Sequence, residues 1–375
     1  MKVLIAPNAF KGSLSAIEVA DAIAEGLQKA SDRFELIRIP IADGGEGTVD
    51  VFEHALGGTR QTLEVSNAVG EPVQASYLIL PDGNTAVFEL AAASGLGMLP
   101  IAKRSPMRAS TFGTGQLILD ALDKGCRRII LGLGGSATSD VGTGILQALG
   151  VRFLNEAGYE VPTGGGGLGY VEQIDTSRID ARILSTEILI PCDVANTLLG
   201  EAGSARVYAP QKGATQEQVE NLEENLTKFN EVVLKSQRVD MSVIKHGGAA
   251  GGCAAGLKAF LDAKLVGGTE FLLEQIGFHE KLAQSDALIT AEGRLDRQTL
   301  EGKGPYGVAL AATKQNKPTF CITGQIPQDF RTEDFAVFNA IFPITTRPMT
   351  LEEAVEEATS LVSFTARQVG AVLTT

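Results

Sequence analysis

Charged side chains set beside glycine are the first chemistry this sequence offers. Asp43-Gly-Gly-Glu46-Gly, Glu292-Gly-Arg294-Leu-Asp296, Pro210-Gln-Lys212-Gly and Glu301-Gly-Lys303-Gly each put an acid or a cation where the backbone can come close to a ligand. Lysine or arginine in such loops can meet a phosphate, and carboxylates can hold a divalent ion through water. Each taken singly reads better as a tight turn or a solvated acid. Together they point to an anion or nucleotide site. Asp193 follows the apolar run Ile188–Cys192, which predicts a place at a strand's carboxyl end, the usual ligand face of a parallel sheet. Asp296 has the same relation to the run 286–290, with Arg294 between it and Glu292.

A second pattern competes with this reading. Gly132-Leu-Gly134-Gly135-Ser136-Ala137 fits G-x-G-x-x-A after an apolar strand, and Glu156 lies after the next strand, as a nicotinamide-dependent oxidoreductase would need. Against it, Ser139-Asp140 falls where the helix should already be running apolar. No stretch matches G-x-x-x-x-G-K-[ST], so a P-loop is excluded; other glycine loops can still support phosphoryl transfer if cations and a magnesium carboxylate come from elsewhere. The three histidines, His54, His246 and His279, fall in no catalytic or zinc motif. His246 precedes Gly247–Gly252, whose N–H groups could hold anions, but it reads as a polar loop residue.

The elements that must position these groups alternate. Residues 2–6 read as a buried strand, and Ser15-Ala-Ile-Glu18 is a capping box opening a helix with Ile17, Ala20, Ala24 and Leu27 on one face. A strand over 34–39 and a short helix closed by Gly57-Gly58 follow. Segments 73–80 and 85–90 flank Pro81-Asp-Gly83-Asn, a hairpin signal, and a helix over 115–124 leads to a strand over 127–133. Thr215-Gln-Glu-Gln218 opens a long helix with Val219, Leu222, Leu226, Phe229 and Val233 on one face. Strands at 286–290, 319–322 and 335–342, a helix at 305–314 and a last helix capped by Thr350 close the chain, with Ala354, Ala358 and Leu361 expected to face inward. These predict an α/β protein of two domains: a flavodoxin- or Rossmann-like parallel-sheet domain from 1–68 plus 288–375, and an inserted mixed-sheet domain from 69–287, with the ligand site in the cleft between them.

Composition narrows the function further. The net charge is −13 and the pI about 4.9, so nucleic acid and anionic membranes are poor partners. No apolar run approaches the ~18 residues of a membrane span, and the run at Val3–Ala6 is too short for a signal-peptide core. Cys126, Cys192, Cys253 and Cys321 are too far apart for a C-x-x-C pair, which suggests a reducing, cytoplasmic setting. Glycine is the outlier, 43 of 375 residues, roughly 11% against a usual ~7%.

Seven blocks, in order along the whole chain, resemble the class I bacterial glycerate kinase family. They are Ala6–Ala16, Ala42–Gly47, Gly132–Thr138, Cys192–Val194, Pro210–Ala214, Gly248–Gly252 and Glu292–Asp296. The resemblance implies ATP- and Mg2+-dependent phosphorylation of D-glycerate, usually to 2-phosphoglycerate, with 3-phosphoglycerate as the other product. It also implies a restriction-enzyme-like topology for the inserted domain, and turns the G-x-G-x-x-A match into a phosphate loop. On this reading Asp193 is the general base, with Asp296 as second choice. Lys11, Ser13, Glu292 and Arg294 bind substrate, Lys11 and Arg294 serving also at the transferring phosphoryl group. Gly134, Gly135, Ser136, Lys212, Gly251 and Gly252 cradle ATP, and Asp43, Glu46 and Asp140 hold magnesium through water. The sequence departs from the family's pattern at Asn8-Ala9, Ser139, Val141, within Cys192–Thr197 (where the usual Thr-Asn-Pro is lacking although Asn196 remains), Tyr208-Ala209 and Ala291. A monomer or homodimer is expected, acting on small molecules. Two other readings, the oxidoreductase and a catalytically silent sugar-acid-binding protein, separate from the kinase by whether D-glycerate drives ADP formation.

Overall fold

A computed structural model describes residues 1–295, 304–328 and 331–374. Its strands, in chain order, are β1 (Lys2–Ile5), β2 (Glu35–Arg38), β3 (Thr59–Ser66), β4 (Pro72–Ile79), β5 (Thr85–Glu89), β6 (Arg128–Gly132), β7 (Arg152–Leu154), β8 (Gln173–Asp175), β9 (Glu187–Pro191), β10 (Lys264–Val266), β11 (Ala287–Arg294), β12 (Thr319–Gln325) and β13 (Ala340–Pro343). The chain divides into two compact units. One comprises 1–43, 50–56 and 268–375, and the other 44–49 and 57–267.

The first unit is a parallel five-stranded sheet in the order β13-β12-β11-β1-β2. Val3, Leu4 and Ile5 are fully buried because both faces of a parallel sheet are covered. On one face the helices Ala16–Ala30 and Ala358–Leu373 pack together, burying Val19, Ile23, Leu27, Val362 and Val369. The capping box predicted at Ser15 and Glu18 is formed. From β1 the chain moves outward to β2, and from β11 it moves the opposite way to β12 and β13. The direction of winding therefore reverses between β1 and β11, the place where such sheets open a crevice at their carboxyl edge.

The second unit holds a mixed six-stranded sheet, β10-β9-β6-β5-β4-β3, in which β10, β9, β6 and β5 pair in parallel and the β5–β4 and β4–β3 pairs are antiparallel. Tyr77 and Phe88 stack across β4 and β5 with ring centroids 4.7 Å apart, and Tyr77 donates its hydroxyl to Asp120 at 2.7 Å. The helix Gln216–Gln237 buries Val219, Leu222, Leu226, Phe229 and Val233, the face read from its spacing, behind a capping box at Thr215.

Three sequence expectations shift. Residues 57–68, expected in the parallel-sheet domain, belong to the mixed sheet, because β3 pairs with β4 along its whole length. Residues 268–287, expected in the insert, belong to the parallel-sheet unit, so the boundaries fall at 57 and 267 and not at 69 and 287. The strand expected over 335–342 is extended only at Ala340–Pro343; Phe335 and Phe338 are spaced for a turn, and both bury against Leu295 and Cys321.

Candidate active site

The carboxyl edge of the parallel sheet carries a pocket of about 440 Å3, lined from the ends of β1, β11, β12 and β13, from Asp43 beyond β2 and from the C-terminal helices. The chain leaving β1 stays beside β11, since Ala6 N donates to Ile289 O and Asn8 N to Ala291 O, both at 2.8 Å. It then closes a tight turn in which Phe10 N donates to Leu14 O and Ser13 N to Phe10 O, each at 2.8 Å. Gly12 has φ +80° in this turn, a conformation that favours glycine. The turn buries Phe10 and thrusts Lys11 outward with 77% of its side chain exposed. Lys11 Nζ stands 3.4 Å from Asp43 Oδ2, which follows the chain after β2.

Opposite the turn, β11 ends in Glu292-Gly293-Arg294 and β12 in Gly324-Gln325. A Cβ on Gly324 would fall 2.5 Å from the Gly293 carbonyl oxygen, so glycine lets these two strand ends close up beneath the pocket. Lys11, Ser13, Asp43, Glu292 and Arg294 thus share one pocket with Asn8 and Gln325. Two cations and two carboxylates around a concave surface can bind an anionic substrate and neutralise charge that develops on it. The remaining wall is hydrocarbon, from Ile344, Leu351, Ala354, Val355 and Ala358. The sequence reading missed this wall because Leu351, Ala354 and Val355 have ordinary core spacing; Ala354 was expected to face inward, yet the helix Leu351–Glu356 buries none of its residues.

The other glycine-rich blocks meet in the second unit and are closed upon themselves. Asp140 is fully buried and accepts from Thr111 N at 2.8 Å, Thr111 Oγ1 at 2.9 Å, and Gly142 N and Gly144 N at 3.2 Å. Burial raises its pKa against the pull of those four donors. With both oxygens engaged, Asp140 ties the Thr111 turn to the start of the helix Thr143–Ala148. Lys212 is 2% exposed and donates to Ser136 Oγ at 2.9 Å and Thr138 O at 2.6 Å. Desolvation lowers its pKa to about 8, only partly offset by the Asp140 charge.

The expected ATP cradle is similarly engaged inside the protein. Gly134 N donates to Gly44 O at 3.0 Å, and the Ser136 hydroxyl receives Lys212. Gly251 is buried against Thr138 and Ser139, where a Cβ would lie 2.1 Å from Thr138 O, and Gly252 is buried against Leu198 and Val141. Of this set Gly135 alone is exposed. The fold brings Ser136, Lys212, Gly251 and Gly252 together in the second unit, where Thr138 Oγ1 and Ser139 Oγ beside them are buried without a hydrogen-bond partner among the described residues.

Asp193 stands partly exposed two residues beyond β9, at the sheet's carboxyl edge, and Glu46 is exposed. His246 takes φ +67° and its Nδ1 lies 2.6 Å from Val194 O, a local loop contact. Asp296 and Lys303 lie outside the described residues. Among the described residues no group of three or more His, Cys, Asp or Glu is placed to hold a metal, and no helix is long and apolar enough to cross a membrane.

Comparison with known proteins decides between the kinase and oxidoreductase readings. The family model described as the glycerate kinase family matches residues 3–374. The chain belongs to the glycerate kinase family. It is 44% identical to a glycerate kinase of Halalkalibacterium halodurans over 99% of this chain and 97% of that one. It is 41% identical to the glycerate 2-kinase of Escherichia coli K12 over 100% and 98%. A glycerate kinase 2 structure from Salmonella typhimurium LT2 superposes with a TM-score of 0.88 at 41% identity, covering 100% of this chain and 98% of the other. Membership makes the protein a kinase, for which ATP is a substrate, and the nicotinamide reading of Gly132–Ala137 falls.

Proposed function

We propose that this chain transfers the γ-phosphoryl group of ATP to the 2-hydroxyl of D-glycerate, in the pocket at the carboxyl ends of β1 and β11. The supporting observation is the gathering of Lys11, Arg294, Asp43 and Glu292 around that pocket, at the winding reversal of a parallel sheet. A planar guanidinium suits the carboxylate of glycerate or the transferring phosphoryl oxygens bidentately, and Lys11 supplies a mobile point charge. Ser13 offers a hydroxyl to the acceptor. Little covalent help is needed, because phosphoryl transfer runs through a loose transition state and depends on alignment and charge neutralisation.

Magnesium uses one or two carboxylates together with substrate phosphates, and Asp43 in the pocket fits that demand and would hold the ion. When bound, the ion would neutralise charge on the β- and γ-phosphate oxygens. Asp193 is proposed as the general base for its chemistry, a partly exposed carboxylate just past a strand end. Four free, buried cysteines fit a reducing cytoplasm as the proposed compartment.

The test is ADP release with and without D-glycerate, followed by phosphorus NMR of the product. Glycerate-dependent ADP with phosphate on C2 is expected. ADP release indifferent to glycerate overturns the acceptor, and phosphate on C3 overturns the position. Asp193→Asn should lower turnover by at least ~10²-fold while ADP still binds; near-normal turnover removes Asp193 from the base role.

A further inference from the structure

We infer that the hydrocarbon wall of this pocket, Ile344, Leu351, Val355 and Ala358, receives the purine of ATP, leaving the triphosphate to run toward Lys11 and Arg294; the inference rests on the kinase reading of the same pocket. Three observations carry it. The first is size. A volume of about 440 Å3 falls within the roughly 300–1,000 Å3 that houses drug-sized ligands, and a three-carbon acid cannot fill it.

The second is the division of the pocket into two chemistries. One end bears Lys11, Asp43, Glu292 and Arg294, and the other is aliphatic. Glycerate carries a carboxylate and two hydroxyls on three carbons, so it has no apolar face to cover such a wall. Of the two reactants only the nucleotide is built the same way as the pocket, with an apolar ring at one end and several negative charges at the other.

The third is the helix Leu351–Glu356, which presents its apolar side without burying it. Leu351 is 76% exposed and Val355 39%, on a helix with a formed N-terminal cap. A capping box joins Thr350 and Glu353, and Ser13 Oγ lies 3.4 Å from Val355 O, tying the helix to the Lys11 turn. Arg347 pairs with Glu353 at 3.5 Å and Glu357 at 2.8 Å, which draws the polar side of the helix the other way. A capped helix with exposed aliphatic side chains in a concave site is a surface suited to an apolar ligand.

The experiment pairs calorimetry with kinetics on the full chain. Leu351→Ser and Leu351→Met are titrated with ADP and, separately, with inorganic tripolyphosphate, which has the charges but no base. Leu351 is surface-exposed, and melting curves check that the variants fold. For Leu351→Ser, ADP affinity should fall about 10-fold and the KM for ATP rise similarly, with the KM for D-glycerate and tripolyphosphate affinity unchanged. Leu351→Met should stay within about 2-fold of wild type. Unchanged ADP affinity, an equal loss for tripolyphosphate, or a shift confined to the glycerate KM would each overturn the inference. If the wild type binds ADP but glycerate drives no ADP release, the acceptor assignment fails while the ADP titration still decides the wall; a wild type that binds no ADP overturns the inference as well.

Discussion

Two polar clusters in this molecule use the same residue types toward opposite ends. In the parallel-sheet unit Lys11, Asp43, Glu292 and Arg294 line an open pocket. In the mixed-sheet unit Asp140, Lys212, Ser136 and Thr138 are buried and bonded to one another's loops. Glycine flanks both. At the pocket it lets strand ends and a tight turn form a concave rim; in the buried cluster it removes side chains so that loops can lie against each other, as where Gly134 meets Gly45. A polar group facing water keeps its capacity to meet a ligand, whereas a buried one must be satisfied by protein or its desolvation goes uncompensated. The contrast predicts that mutations in the buried cluster act on stability and mutations at the pocket act on kinetics.

The largest effect belongs to Asp140. Asp140→Asn turns an amide NH2 toward N–H and O–H donors, and should cost about 3–5 kcal/mol. That corresponds to a melting temperature lower by more than ~6 °C. The Michaelis constants, measured well below melting, should stay near wild type. Unchanged melting with a raised magnesium requirement would break the comparison, since Asp140 would then be acting at the site.

Arg294 should show the reverse. Arg294→Lys keeps the charge but loses the bidentate fork, and kcat/KM should drop by about 10- to 100-fold with melting unchanged. Destabilisation without a kinetic effect would place Arg294 with the structural set.

How much of this could be read in advance follows from what each pattern encodes. The three capping boxes, at Ser15, Thr215 and Thr350, and the buried face of Gln216–Gln237 are local signals, and all formed. β3 was missed because its run Thr59–Ser66 is polar, with Val65 as its one buried residue; only the pairing with β4 makes it a strand. At the site, the charged residues beside glycine were legible as chemistry. Whether each faces water was not, because Lys11 and Lys212 both sit next to glycine and differ only in what the fold packs over them. The aliphatic wall was hidden for a related reason: Leu351 and Val355 have the spacing of a buried face, and periodicity does not say what covers it.

Lys212 gives a subtler contrast through pH. Its pKa falls from 10.5 unfolded to about 8 folded, because burial disfavours the ammonium. Between those values the unfolded chain holds a proton that the folded chain has released, so stability rises with pH across that window and the penalty is fully present below about pH 8. Lys212→Met removes this linkage. The stability of wild type relative to the variant, from denaturant titrations, should therefore grow from pH 8 toward pH 10; a difference flat with pH would mean that Lys212 is not desolvated.

Lys11 carries the smallest expected effect and sharpens the pocket side of the comparison. Its side chain is 77% exposed, and its pairing with Asp43 at 3.4 Å is a solvent-screened contact that contributes little to folding. Lys11→Ala should leave the melting temperature within a degree or so. A lysine this exposed, on a turn anchored by buried Phe10, is nevertheless placed to follow an incoming anion. The KM for ATP or for D-glycerate should rise by about 5-fold, and more at low ionic strength, where charge attraction is least screened. Kinetics unchanged at every salt concentration would leave Arg294 as the pocket's working cation and make Lys11 a surface charge.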